Sequence, residues 1–102
     1  KQRKMLTSWL VDNTTGNAGI RAGTPKNWTV GDKTGAGAYG TSNDIAVIWP
    51  AYCKPIVLSI YYTQSAKNTK PNSKIIAAAT GSIIHDFAKH DACLKKISKE
   101  AA

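Results

Sequence analysis

Apolar positions recur at helical spacing through Met5, Leu6, Trp9 and Leu10, which predicts a short amphipathic helix over residues 2–11. The turn-forming cluster Asp12-Asn13-Thr14-Thr15-Gly16-Asn17 ends it. Gly19, Gly23 and Pro25 extend the irregular stretch. From Trp28 through Thr34 the chain is β-rich and alternating, which reads as a strand. Ala36-Gly37-Ala38-Tyr39-Gly40 reads as a small flexible turn. Ile45-Ala46-Val47-Ile48-Trp49 is apolar on both faces and reads as a central buried strand, ended by Pro50. Ile56 to Thr63 reads as a third strand, in which Tyr61 and Tyr62 point to opposite faces.

A polar loop follows from Gln64 to Lys70, and Pro71 suits the first position of a helix. Ile75, Ile76, Ala79, Ile83, Ile84 and Phe87 form one apolar stripe, which predicts a helix over residues 71–89. The basic tail after His90 is expected to fray. The fold class is α/β (α+β): a three-stranded antiparallel meander flanked by an N-terminal and a C-terminal helix. Both faces of that sheet carry apolar residues, and three strands leave two edges that proteins normally pair or cover. The pattern therefore implies missing covering elements.

Composition narrows the options. The chain has 102 residues, of which 42% are hydrophobic, enough for a modest core and too many for a disordered chain. The longest uncharged run, Pro55 to Ala66, falls short of the ~20 residues a membrane helix needs. Lys1-Gln2-Arg3-Lys4 is basic, but no long apolar run follows it, so no signal peptide is read there. The net charge of +8 invites a polyanion partner. However, only Arg3 and Arg21 are arginines and the lysines are scattered, which argues for a solvated surface over a nucleic-acid interface. If the chain is one part of a larger protein, its acidic complement lies in the rest. His85 and His90 have no second-ligand pattern, so no metal is expected. Trp28 and Trp49 read as core residues.

The chemistry concentrates at Asp32-Lys33-Thr34-Gly35, where the first strand ends. A Lys-Thr-Gly tripeptide, with S-x-x-K and S-D-N elsewhere, marks class A β-lactamases and penicillin-binding proteins. The surrounding segment carries Asn13-Thr14-Thr15-Gly16, Ile20-Arg21-Ala22-Gly23, Trp28, Val30 to Gly35, and Gly40-Thr41-Ser42-Asn43-Asp44-Ile45-Ala46-Val47-Ile48-Trp49-Pro50. Over residues 5–89 it closely resembles class A serine β-lactamases.

The resemblance implies that residues 1–102 are the C-terminal part of a single β-lactamase-like domain, whose N-terminal half is absent from this chain and is its partner as a separate or cleaved chain. No Ser or Thr has a Lys three residues later, no Ser-Asp-Asn occurs, and the only Glu is Glu100. The family's acylated nucleophile and its deacylating carboxylate are thus absent, and the chain alone is expected to be inactive. The resemblance makes Lys33, Thr34, Gly35, Ala36, Gly37 and Ala38 the substrate-binding set, with Tyr39 at the rim. In it the Lys33 ammonium and the Thr34 hydroxyl hold a substrate carboxylate. Gly35 lets substrate lie along the strand edge, and the N–H of Ala36 is one of two oxyanion-hole donors.

It further implies a β-lactam substrate, no cofactor, no nucleic-acid or membrane partner, and a periplasmic or secreted setting. Asp32 is expected to be buried and hydrogen-bonded, with Asn13 as candidate partner, and Arg21 matches a structural position. Many members hold the substrate carboxylate with an Arg, whereas here Ser42, Asn43, Asn72 and Ser73 occupy that neighbourhood, with Lys70 or Lys74 as possible substitutes. A penicillin-binding or peptidoglycan-recognising protein shares Lys-Thr-Gly, and a non-catalytic basic module is the third reading. Finally, the meander brings residues near 90 back towards the start of the third strand. Cys53 and Cys93 then either bridge or remain free thiols, and the implied periplasmic setting favours the bridge.

Overall fold

The computed structural model describes residues 1–101, with side chains through residue 97. The elements are α1 (Gln2–Val11), α2 (Ile20–Gly23), β1 (Thr29–Gly37), β2 (Thr41–Trp49), β3 (Ile56–Tyr62), α3 (Ser73–His90) and α4 (Ala92–Ala101). The strands form one antiparallel sheet in the order β1-β2-β3, the predicted meander.

Register divides the sheet cleanly. Val30, Asp32, Thr34 and Ala36 of β1 lie across from Ile48, Ala46, Asp44 and Ser42 of β2. Those in turn face Ile56, Leu58, Ile60 and Tyr62 of β3. Because successive side chains alternate, all of these share one face. On it Val30, Ala46 and Ile48 join Ile20 of α2 and Ile76 and Ile84 of α3 in the core, with Trp28 and Tyr62 packed against them. The opposite face carries Ile45, Val47, Trp49, Val57 and Tyr61, and α1 packs on it mainly beside β1, at Gly31.

Several boundaries differ from the pattern-based expectation. β1 continues through Ala36 and Gly37, because β2 begins at Thr41 and supplies partners to the end of the ladder. The turn shrinks to residues 38–40, with Gly40 at φ 62°. α3 starts at Ser73, with Asn72 at the N-cap position, so Pro71 stands outside the helix. Its buried stripe is Ile76, Thr80, Ile84 and Ala88, and Ile83 and Phe87 lie on the exposed flank. Thr80 is accommodated there because its hydroxyl donates to the Ile76 carbonyl at 2.8 Å. α2 went unforeseen among the glycines of its segment. Met5, Leu6 and Trp9 do form a helix, yet α1 buries none of its residues.

The tail after His90 is helical rather than frayed. Asp91 caps α4, its carboxylate accepting from the Leu94 N–H at 3.0 Å, and Leu94 is buried. A Cys53–Cys93 disulfide, with Cα atoms 5.9 Å apart, ties α4 to the β2–β3 connection.

The bridge spans 40 residues, and the chain-entropy account values such a loop at about 4 kcal/mol. Cys93→Ser should therefore lower the thermal midpoint, and dithiothreitol should reproduce the drop in the unaltered protein. An identical midpoint with and without reductant would show that the bridge contributes nothing.

Candidate active site

The site grows from a polar group set into the core face. Asp32 is fully buried on β1, immediately before Lys33. A buried carboxylate is unfavourable unless paired and hydrogen-bonded. Arg21 of α2 supplies the pair, with Nε 2.7 Å from Asp32 Oδ1. The same guanidinium donates through Nη2 to the carbonyls of Leu10 at 2.8 Å and Val11 at 3.0 Å. Those carbonyls end α1, where the Leu10 carbonyl otherwise has only the Asn13 N–H at 3.4 Å, so one side chain serves a helix terminus and a buried anion together. Asn13 completes the arrangement by donating from Nδ2 to the Asp32 carbonyl at 3.0 Å. Its Oδ1 accepts from the Thr15 hydroxyl at 2.9 Å.

This latticework fixes Thr15 opposite Thr34, with the two hydroxyl oxygens 3.4 Å apart. They open onto a cavity of about 230 Å³. Thr34, Gly35 and Ala36 of β1 line it together with Ser42 of β2 and Ser73 of α3. The outer edge of β1 has no strand partner among the described residues. A small molecule can therefore lie along this edge while presenting a polar group to the two hydroxyls.

Of the predicted substrate-binding residues, the cavity gathers Thr34, Gly35 and Ala36. Lys33 is exposed on the opposite face of β1, and its Nζ donates to the Thr34 carbonyl at 2.8 Å. Gly37 ends β1, and exposed Ala38 begins the turn; neither lines the cavity. That turn is held by the Gln64 N–H, which donates to the Tyr39 carbonyl at 2.8 Å. Lys70 and Lys74 are exposed and stand outside the cavity lining. Ser42 Oγ accepts from the Asn72 N–H at 3.0 Å, which seats the start of α3 against the cavity. Among the described residues no cluster of His, Cys, Asp or Glu could hold a metal.

Two residues gained roles that the pattern did not single out. Thr15, in what read as a plain turn, faces the cavity. Asp44 is 1% exposed, directly across from Thr34. Its Oδ2 accepts from the Ile20 N–H at 2.9 Å. Burial, reinforced by a hydrogen bond that its protonated form donates to Asp32 and by repulsion from the Asp32 charge, pushes its pKa up to about 7. The signal for Asp44 lay in the strand register, which places it on the same face as Asp32.

The sequence model of the beta-lactamase enzyme family matches residues 1–87. Beta-lactamase CTX-M-97 of Escherichia coli is 55% identical over 86 residues, covering 84% of this chain and 30% of that protein. Beta-lactamase OXY-2 of Klebsiella oxytoca is 56% identical over 79 residues, covering 78% of this chain and 27% of its own. A beta-lactamase of Proteus vulgaris is 51% identical over 87 residues, covering 85% and 32% respectively. The chain thus spans about 30% of the length of the curated relatives it matches.

Removing one partner of a buried ion pair costs about 3–5 kcal/mol. Arg21→Ala should fall in that range, since it strands the Asp32 carboxylate and the α1 carbonyls at once. Arg21→Lys keeps the charge without the fork and should recover only part of the loss. Chemical denaturation of the two variants measures both, and equal stability of Arg21→Ala and the parent would refute the assignment.

Proposed function

Because the chain belongs to the beta-lactamase family, we propose that it forms one wall of a serine β-lactamase active site of class A type. The rest of the domain supplies the nucleophile. The observation that carries this reading is the open edge of β1, where Thr34, Gly35 and Ala36 line a cavity shared with Thr15.

In this reading a β-lactam lies along β1. Its carboxylate accepts from the Thr34 hydroxyl, with Thr15 beside it. The exposed Lys33 ammonium adds positive potential from the neighbouring position, favouring an anionic substrate and the charged states of nearby acids. The serine of the N-terminal half attacks the lactam carbonyl, and the negative charge that develops on its oxygen is held by two N–H donors. Ala36 gives one and the serine residue gives the other; losing one such donor typically costs ~10²–10³ in rate. Ring opening leaves an acyl-enzyme, and a carboxylate of the other half directs water onto it. No cofactor enters these steps. The relatives at 51–56% identity are all named beta-lactamases, which favours hydrolysis over the stable acylation of a penicillin-binding protein.

The proposed partner, the N-terminal half of the same enzyme, matches what the sheet leaves open. Trp9 is 66% exposed, Val57 77% and Tyr61 71%, and β3 has a free outer edge. Apolar side chains gathered on one side of a small protein mark a surface built to be covered. We place the enzyme in the periplasm or outside the cell, a setting that suits the Cys53–Cys93 bridge.

The 102-residue chain alone should show no nitrocefin turnover and marginal stability, and turnover should appear when the N-terminal half is added. Hydrolysis by the isolated chain would refute the proposed division. In the assembled enzyme, Lys33→Ala removes that positive potential and should lower kcat/KM for an anionic substrate roughly ten- to a hundredfold. An unchanged kcat/KM would remove Lys33 from the site.

A further inference from the structure

The core face of the sheet leaves two polar atoms unexplained. Asp32 Oδ2 and Asp44 Oδ1 are both buried and both lack a hydrogen-bond partner when each carboxyl is written as an anion. The other oxygens are accounted for: Asp32 Oδ1 by Arg21, Asp44 Oδ2 by the Ile20 N–H. Both carboxyls sit on one face of adjacent strands, diagonal to each other, since Asp32 pairs with Ala46 and Asp44 with Thr34.

Glycine backbone closes in on each. A Cβ on Gly16 would collide with the Asp32 carboxylate, and one on Gly19 would come within 2.6 Å of Asp44 Oδ2. The tight packing of both glycines leaves the carboxyls to satisfy each other.

We propose that Asp44 and Asp32 hold one proton between them, donated from Asp44 Oδ1 to Asp32 Oδ2, and that this proton makes Asp44 a positioning residue for the Thr34 side of the cavity. One proton satisfies both orphaned oxygens. It also balances the charge: two carboxyls, one proton and the Arg21 guanidinium sum to zero in a site with little water to screen them. Without it, two anions oppose one cation.

The groups facing Asp44 are few. β1 presents Asp32 and the Thr34 hydroxyl, α2 presents the Ile20 N–H and Arg21, and α3 presents the apolar Ile76 near Gly19. Only Arg21 opposes protonation by charge, and it is already committed to Asp32. The raised pKa of Asp44 agrees with this arrangement.

The proton joins three elements. Asp44 holds the start of α2 through Ile20, and Asp32 holds the end of α1 through Arg21. Their link locks both to the stretch of β1 that carries Lys33 and Thr34. The sign of the pH effect follows. The folded protein keeps Asp44 protonated to about 7, whereas the unfolded chain loses that proton near its ordinary value of 3.8. Between those values the folded state binds more protons. The stabilisation is complete below the lower value and is lost as pH rises through the upper one.

The effect on catalysis rests on the function proposed above, whereas the protonation itself does not, and two measurements keep them apart. The first is carbon NMR of aspartate-labelled protein, with the rest of its domain present, titrated from pH 4 to 9. One buried carboxyl should titrate near neutrality and vanish from the spectrum of Asp44→Asn. That variant retains a donor towards Asp32 and an acceptor for Ile20. Its thermal midpoint should lose the fall with rising pH that the parent shows. If every aspartate of the parent titrates below pH 5, or if the near-neutral signal survives in Asp44→Asn, the shared proton is refuted. The parent titration decides the matter even if the variant fails to fold. The second measurement is KM. If only the protonated form holds Thr34 in place, KM should rise about tenfold between pH 6 and 8. In Asp44→Asn that rise should disappear. A rise of equal size in the variant would refute the positioning role while leaving the shared proton standing.

Discussion

The arrangement of the site depends on burying Asp32 within a small core. A carboxylate with no exposed surface dictates its surroundings: it needs a cation, donors and dry packing. Arg21 meets the first need and, with its remaining donors, gathers the loose end of α1. Asn13 meets the second and so fixes the turn that carries Thr15. Glycine at position 16 meets the third. Apolar residues of similar volume often stabilise a protein as well as a buried ion pair does. The pair's distinct contribution here is therefore specification. It joins two helices and a loop to the strand position directly before Lys33.

The sheet built on that position is lopsided in a functional way. Its even-numbered face is closed by α2 and α3, whereas its odd-numbered face carries Val57, Tyr61 and Ile45 in the open. The free edge of β1 bounds the cavity, and the free edge of β3 lies at the far side of the sheet. In the proposed enzyme one edge takes substrate and the other takes more protein. In that proposed enzyme the +8 charge would be one part of a larger surface. At the other end of the chain, Cys93 lies beyond the residues that match the family, and α4 is held there by a covalent tie as well as by Leu94.

Much of this was legible in the residues. Alternation and helical spacing located the meander and both flanking helices, since those signals come from burial on a regular lattice. The Lys-Thr-Gly strand and the candidate Asn13–Asp32 contact followed from the resemblance. What stayed hidden depends on partners distant in sequence. β1 reaches Gly37 only because Thr41 answers across the turn, and small residues carry no strand signal of their own. α4 is helical because Asp91 caps it and Cys53 anchors it. Asp44 reads as one polar residue in a strand until register sets it opposite Thr34 and diagonal to Asp32. Thr15 becomes a cavity residue only once Asn13 has folded the turn back onto β1. Conversely, the apolar stripe of α1 announced a helix correctly but not its exposure, because none of its residues is buried against the sheet.

The central claim is that this chain contributes the substrate-holding strand while the covalent chemistry occurs on the other half. Intact-mass spectrometry of the two halves, mixed and quenched during turnover of a slow β-lactam, locates the acyl group directly. The adduct is predicted on the N-terminal half alone, with this chain at its unmodified mass. An acyl adduct on any residue of this chain would contradict the account.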